Sequence, residues 1–137
     1  MLTVSDVNAR LPLVRSILRD VLELHRDLQW RTERLRSLRE RYPVTDEGSV
    51  YEQEVEQSER EVHRDQARFA ELLQELKGIG GVVTDPISGV VDFAGLLDGR
   101  RVMFCWKQDE PQVGHWHSGP CAPAARQPLL PAAAVSG

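Results

Sequence analysis

The residues best suited to chemistry lie towards the end of the chain. His115 and His117 stand two apart in the segment 112–117, whose composition and flanking turn predict a β-strand. On a strand, residues two apart share a face, so both imidazoles point one way and Trp116 points the other. The turn before them, Gln108-Asp109-Glu110-Pro111, sets two carboxylates nearby. Imidazole nitrogen and carboxylate oxygen are ligands for a divalent transition metal such as zinc, which makes Glu110, His115 and His117 a candidate metal set. The plainer alternative keeps the histidines as hydrogen-bonded or wet residues at a sheet rim, with Trp116 in the core.

A second set, Cys105, His115, His117 and Cys121, has a zinc-like ligand inventory, but its spacing matches no finger or ribbon. Cys105 falls in the apolar run 102–106, where a reduced, buried thiol is expected. Two cysteines are too few for a disulfide framework. The chain carries no nucleophile elbow and no Cys-x-x-Cys. Its glycine cluster, Gly78, Gly80 and Gly81, follows a helix instead of preceding one, the wrong order for a phosphate loop.

Two long helices and a small sheet must position these groups. Val14, Val21, Leu28 and Leu35 recur every seven residues, with Ile17, Leu24 and Leu38 three later, which makes a helical stripe. Leu18 and Leu22 widen it beyond a strict two-stranded seam. Thr3 and Asp6 have the form of a capping box, and Pro12 predicts a short opening helix followed by a kink or restart. Pro43 ends the first helix and Thr45 or Asp46 can cap the second, which carries Val55, Val62, Phe69 and Leu76 before stopping at Lys77-Gly78.

The short linker makes antiparallel packing economical, and charge favours it. Residues 10–41 hold nine arginines against five acids, whereas 47–77 hold nine acids against four basic residues. Single exposed pairs contribute only about 0–1 kcal/mol, so the asymmetry bears on partner choice more than on stability. His25 and His63 sit among charged neighbours in these helices, where a solvated or interfacial role is expected.

Beyond Gly81 the pattern turns β-rich: 82–84, 89–93, 101–106 and 112–117, punctuated by Asp85-Pro86 and Asp98-Gly99. Alternation places Val102, Phe104 and Trp106 towards the helices and Arg101, Met103, Cys105 and Lys107 away from them. The fold class is therefore α+β: a long antiparallel two-helix hairpin, about 4–77, followed by a small antiparallel sheet, about 81–118. One domain over 1–130 is expected, with a disordered Pro- and Ala-rich tail over 131–137.

With 41% hydrophobic and 28% charged residues, the 137-residue chain has globular composition. No apolar run is long enough to span a membrane and no signal segment opens the chain, so a cytoplasmic location is expected. A net charge of −4 argues against nucleic acid, and the acidic second helix should neutralise the arginine-rich first.

The chain also resembles the bacterial domain of unknown function 2203 family, up to about Leu129. The resemblance rests on the opening Thr3-Val4-Ser5-Asp6-Val7-Asn8-Ala9-Arg10-Leu11-Pro12, the long charged helices, and Val91-Asp92-Phe93. It continues through Asp98-Gly99-Arg100, Cys105-Trp106, Glu110-Pro111, Trp116-His117 and Arg126-Gln127-Pro128. It implies no reaction, but it implies that Asp92, Glu110, His117 and Arg126 belong to a metal or ligand site. The stretch Gly119-Pro120-Cys121-Ala122-Pro123 departs from the pattern, where an acid, a glycine and an aromatic are expected.

Two functional readings follow. The first is a non-catalytic, oligomeric interaction module: its hairpin binds a second copy or another protein, and its β end carries a divalent-metal or ligand site. The wide helix stripes and the mixed outer sheet face favour it. The second is a metal-dependent hydrolase with His115 and His117 as ligands, Glu110 or Asp92 as ligand or general base, and Arg126 binding an anionic substrate.

Overall fold

The computed structural model describes residues 1–41, 49–119 and 126–129. Two helices, α1 (Val4–Arg41) and α2 (Val50–Gly78), are followed by five strands: β1 (Gly81–Asp85), β2 (Val90–Leu97), β3 (Arg100–Lys107), β4 (His115–His117) and β5 (Gln127–Pro128). The α+β architecture with a helical hairpin is the one expected.

The start of α1 is fixed by the expected capping box. Asp6 Oδ2 accepts from Thr3 N at 2.9 Å, and Thr3 Oγ1 accepts from Asp6 N at 3.1 Å. Pro12, however, causes no restart, and α1 runs unbroken through it. A proline inside a helix costs about 3 kcal/mol or more. Here Val7, Leu11, Val14 and Leu18, each at most 1% exposed, anchor both sides of it to the core. The ring itself faces solvent, the side on which helix carbonyls tilt towards water.

The second helix starts at Ser49 instead of the expected Thr45 or Asp46, both outside the described residues. Ser49 Oγ accepts from Glu52 N at 3.0 Å. At the far end Ile79 N and Gly80 N donate to Leu76 O and Lys77 O, and the left-handed residue is Gly80, at φ 96°.

The helices run antiparallel, because His25 meets Phe69, Arg31 meets Asp65, and Arg39 meets Glu52 and Glu59. The predicted charge complementarity thus becomes cross-helix ion pairs. Only one end of the hairpin rests on the sheet: Val7, Leu11, Val14, Leu18 and Val21 of α1 with Leu72 and Leu76 of α2. The other end holds a thin seam, with Leu28, Val55 and Val62 as its buried apolar residues among those described.

The sheet is an antiparallel meander in chain order. Asp98 and Gly99, at φ 52° and 79°, form the two-residue turn between β2 and β3. Such a turn has positive φ at both positions and matches the strand twist. It fixes the register, so that Asp92 lies opposite Cys105, and Cys105 in turn lies opposite His115.

Val102, Phe104 and Trp106 face the helices as alternation predicted, and Val91 and Phe93 of β2 join them. The N-terminal residue Leu2 adds a parallel bridge at Gly95, where a β-carbon would stand 2.3 Å from Phe104 Cε2 and 2.4 Å from Leu2 O. Beyond the strands expected over about 81–118, Gln127 and Pro128 return to pair with Trp116 and His115. The expected disorder over 131–137 lies outside the described residues.

Candidate metal centre on the outer sheet face

The sheet face turned away from the helices would ordinarily be wet, and Val82, Thr84, Ala94, Leu96 and Arg101 are exposed there. Its middle is not. Asp92 is 3% exposed, Cys105 0% and His117 1%. Sequence alternation put Cys105 on this face, and the six-residue count back from Asp98 and on from Gly99 puts Asp92 opposite it.

His117 enters from β4. Its Nε2 lies 3.0 Å from Asp92 Oδ2, and its Nδ1 lies 2.6 Å from Gly119 O. A carbonyl only accepts, so Nδ1 carries a hydrogen and Nε2 is directed at the carboxylate. With Nδ1 held by the carbonyl, as in metal-bound histidines, an ion lying between Nε2 and Asp92 Oδ2 would replace their direct contact. Asp92 Oδ1 is buried with no hydrogen-bond partner among the described residues. Among the described residues one oxygen of a buried carboxylate is thus uncompensated, an expensive state for an acceptor.

The ligand atoms of Asp92, Cys105 and His117 all lie within 4.8 Å of one another. Zinc–ligand bonds of about 2.0–2.3 Å in a tetrahedron hold donor atoms within roughly 4 Å of each other. Sub-ångström adjustments would therefore bring these three onto one ion. The set combines a sulfur, an imidazole nitrogen and a carboxylate oxygen, which suits zinc and similar ions better than magnesium or calcium.

Glu110 and His115 form a neighbouring group. Glu110 Oε2 is 3.0 Å from His115 Nδ1, while its Oε1 accepts from Arg126 Nη2 and from Lys107 N, both at 2.8 Å. Arg126 reaches on to Cys105, donating from Nε to Sγ and from Nη2 to the carbonyl, both at 3.2 Å. Burial is the largest single influence on the guanidinium and pushes its pKa down. The hydrogen bonds to Glu110 and Cys105, with their charges, carry it above the ordinary arginine value. Arg126 is therefore a fixed cation beside the Cys105 sulfur.

The loop bearing Glu110 is anchored to the hairpin. Arg15 Nη2 donates to the carbonyls of Glu110 and Pro111 at 2.9 and 2.7 Å, and the guanidinium lies 5.4 Å from the Trp106 ring centre. Trp106 Nε1 also donates to Glu110 O, and Asn8 Oδ1 accepts from Val113 N. A continuous set of contacts runs from α1 through Glu110 and Arg126 to Cys105.

Six of the seven sequence-nominated residues thus fall into two groups. Glu110, His115 and Arg126 interact with one another, whereas His117 joins Asp92, and Cys105 sits between the groups. Cys105 enters the sequence reasoning only in a zinc set with Cys121, against which its expected burial counts. Its outward parity in β3 and the Asp98-Gly99 turn were the signals that point to it. Cys121 lies outside the described residues. His25 packs against Phe69 and His63 is exposed, neither joining the cluster.

The family model described as "Uncharacterized conserved protein (DUF2203)" matches residues 1–129, almost the whole chain. The chain belongs to this family. That membership agrees with the resemblance seen in the sequence and attaches no reaction to the Asp92, Cys105 and His117 group. No curated protein matches, and no solved structure matches. No helix among the described residues is long and apolar enough to cross a membrane.

Proposed function

We propose that this protein is a non-catalytic binding module for a soft divalent transition metal, zinc being the leading ion. The supporting observation is the buried Asp92, Cys105 and His117 group with its ligand atoms inside 4.8 Å. In this reading the helical hairpin is the surface for a second copy or a protein partner. The Arg15 and Asn8 contacts to the 110–113 loop give metal occupancy a physical route to α1. The setting is the bacterial cytoplasm, where Cys105 stays reduced and available to metal.

Burial of Asp92, Cys105 and His117 favours a held ion over one exposed to substrate, with three protein ligands leaving one tetrahedral position to water or a further ligand. The hydrolase alternative built on Glu110, His115 and His117 meets a further difficulty. Both Glu110 oxygens are engaged by Arg126, His115 and the Lys107 amide, which leaves it poorly placed to act as a base.

The test is a cobalt and zinc titration of chelator-stripped protein, comparing wild type with Cys105→Ser, His117→Asn and His115→Ala. One equivalent should bind, with a sulfur-to-cobalt absorption band that Cys105→Ser abolishes and His115→Ala retains. Absence of stoichiometric binding would overturn the proposal. Loss in His115→Ala with retention in Cys105→Ser would move the ion to the Glu110 and His115 group.

A further inference from the structure

Beside the metal group, on the same sheet face, lies a cavity of about 260 Å³ that no part of the metal reading uses. Thr84, Ser88, Val90, Cys105, Lys107 and Arg126 line it, so Cys105 is a wall common to the cavity and to the metal group. Drug-sized sites run to about 300–1,000 Å³, which limits this one to a small occupant.

The electrostatics of the lining select the charge of that occupant. Lys107 is half-buried on β3, and among the described residues its ammonium has no carboxylate within ion-pair distance. Arg126 adds a guanidinium donor to the wall, its charge already paired with Glu110. The Asp85 carboxylate also borders the cavity, but it is turned onto its own loop. Its Oδ1 accepts from Ile87 N and Ser88 N at 2.9 and 3.3 Å, and its Oδ2 from Ser88 Oγ at 2.6 Å. The Ser88 and Ile87 hydrogen bonds hold the Asp85 pKa below the usual carboxylate range, so it keeps its negative charge at the cavity's edge, but its oxygens are engaged by the turn and form no ion pair with Lys107. A half-buried cation of this kind is stabilised by an anion brought to it.

We propose that this cavity binds a small oxyanion-bearing molecule, a carboxylate or phosphate of a few heavy atoms, through Lys107 with Arg126 behind it and hydroxyl help from Thr84. The inference deepens the metal reading by naming the ligand class that would sit next to the ion, but the Lys107 interaction does not require the ion.

The experiment is a titration of the full chain with inorganic phosphate in chelator, followed by amide chemical shifts, and with acetate in parallel. Saturable shifts confined to the Thr84, Ser88, Val90 and Lys107 amides are expected. Lys107→Gln should weaken binding by about tenfold or more, the effect of losing one charge-assisted hydrogen bond. Lys107→Arg should retain it, and Lys77→Gln, an exposed lysine at the end of α2, should leave it unchanged. A phosphate response without acetate response would assign the phosphate class, and the converse the carboxylate class. No saturable shift with either anion, or equal losses in Lys107→Gln and Lys77→Gln, would overturn the inference. Because the titration is run without metal, anion binding in a protein that takes no zinc would refute the metal reading alone. Zinc binding without anion binding would refute only this one.

Discussion

Removing His117 should expose how strongly the protein depends on the buried Asp92–His117 contact. In His117→Phe, Asp92 Oδ2 loses the partner it holds at 3.0 Å, and Oδ1 already has none among the described residues. A carboxylate 3% exposed would then be buried with neither oxygen compensated. Breaking such a pair costs about 3–5 kcal/mol, a large share of the roughly 5–15 kcal/mol that holds an ordinary domain together. At about 3–5 °C per kcal/mol for a domain of this size, the midpoint should fall by roughly 10–25 °C. Asp92→Leu should destabilise for the complementary reason, leaving the His117 ring facing an apolar side chain. The double variant Asp92→Leu/His117→Phe removes both polar groups, and replacing a whole buried pair by apolar residues is often neutral. It should therefore be more stable than either single variant. Urea unfolding followed by circular dichroism in chelator measures all four proteins in the metal-free state. If each single change costs under about 1 kcal/mol and the two simply add, the contact is not the buried, mutually dependent pair described here.

Other outcomes follow from particular contacts. Gly95→Ala should destabilise by about 1–3 kcal/mol and loosen the N-terminal bridge, since the new carbon would meet the Leu2 carbonyl oxygen, which is backbone and cannot rotate away; thermal melts with amide exchange at Leu96 would report it. The Arg39 hydrogen bonds depress the Glu52 pKa, so their stabilisation is present above the unfolded carboxylate range and lost as pH falls through the folded value. Arg39→Gln should thus be less stable than wild type at neutral pH, with the gap closing in unfolding curves as pH falls below the usual carboxylate range. Glu110→Gln, which weakens the hold on Arg126 and His115, should lower zinc affinity by about 10–100-fold as outer partners of metal ligands do, whereas Cys105→Ser should lower it further in the same competition assay. Equal losses in the two would place Glu110 in the ligand set.

Much of this molecule is decided by local patterns. The heptad spacing of Val14, Val21 and Leu28 and of Val55 and Val62 specifies two amphipathic helices, and those residues are the buried ones. The Thr3–Asp6 capping box, the strand alternation of Val102, Phe104 and Trp106, and the pairing of arginine-rich with acidic helix also act over short range, so the chain alone reveals them. Even the candidate residues Asp92, Glu110, His115, His117 and Arg126 stand out by type. Their grouping does not. His117 joins Asp92, 25 positions away, instead of Glu110, seven away, because β3 lies between β2 and β4 and brings their outward side chains over Cys105. Pro12 stays inside α1 because core contacts on both sides outweigh a local penalty that the sequence displays without its compensation. Gln127 and Pro128 become a strand because β4 offers them an open edge, and with them Arg126 is carried onto the Cys105 sulfur. Local periodicity fixes which face a side chain occupies; only the order of strands and the return of the chain determine which distant side chains share that face, and the metal centre proposed here depends on the latter.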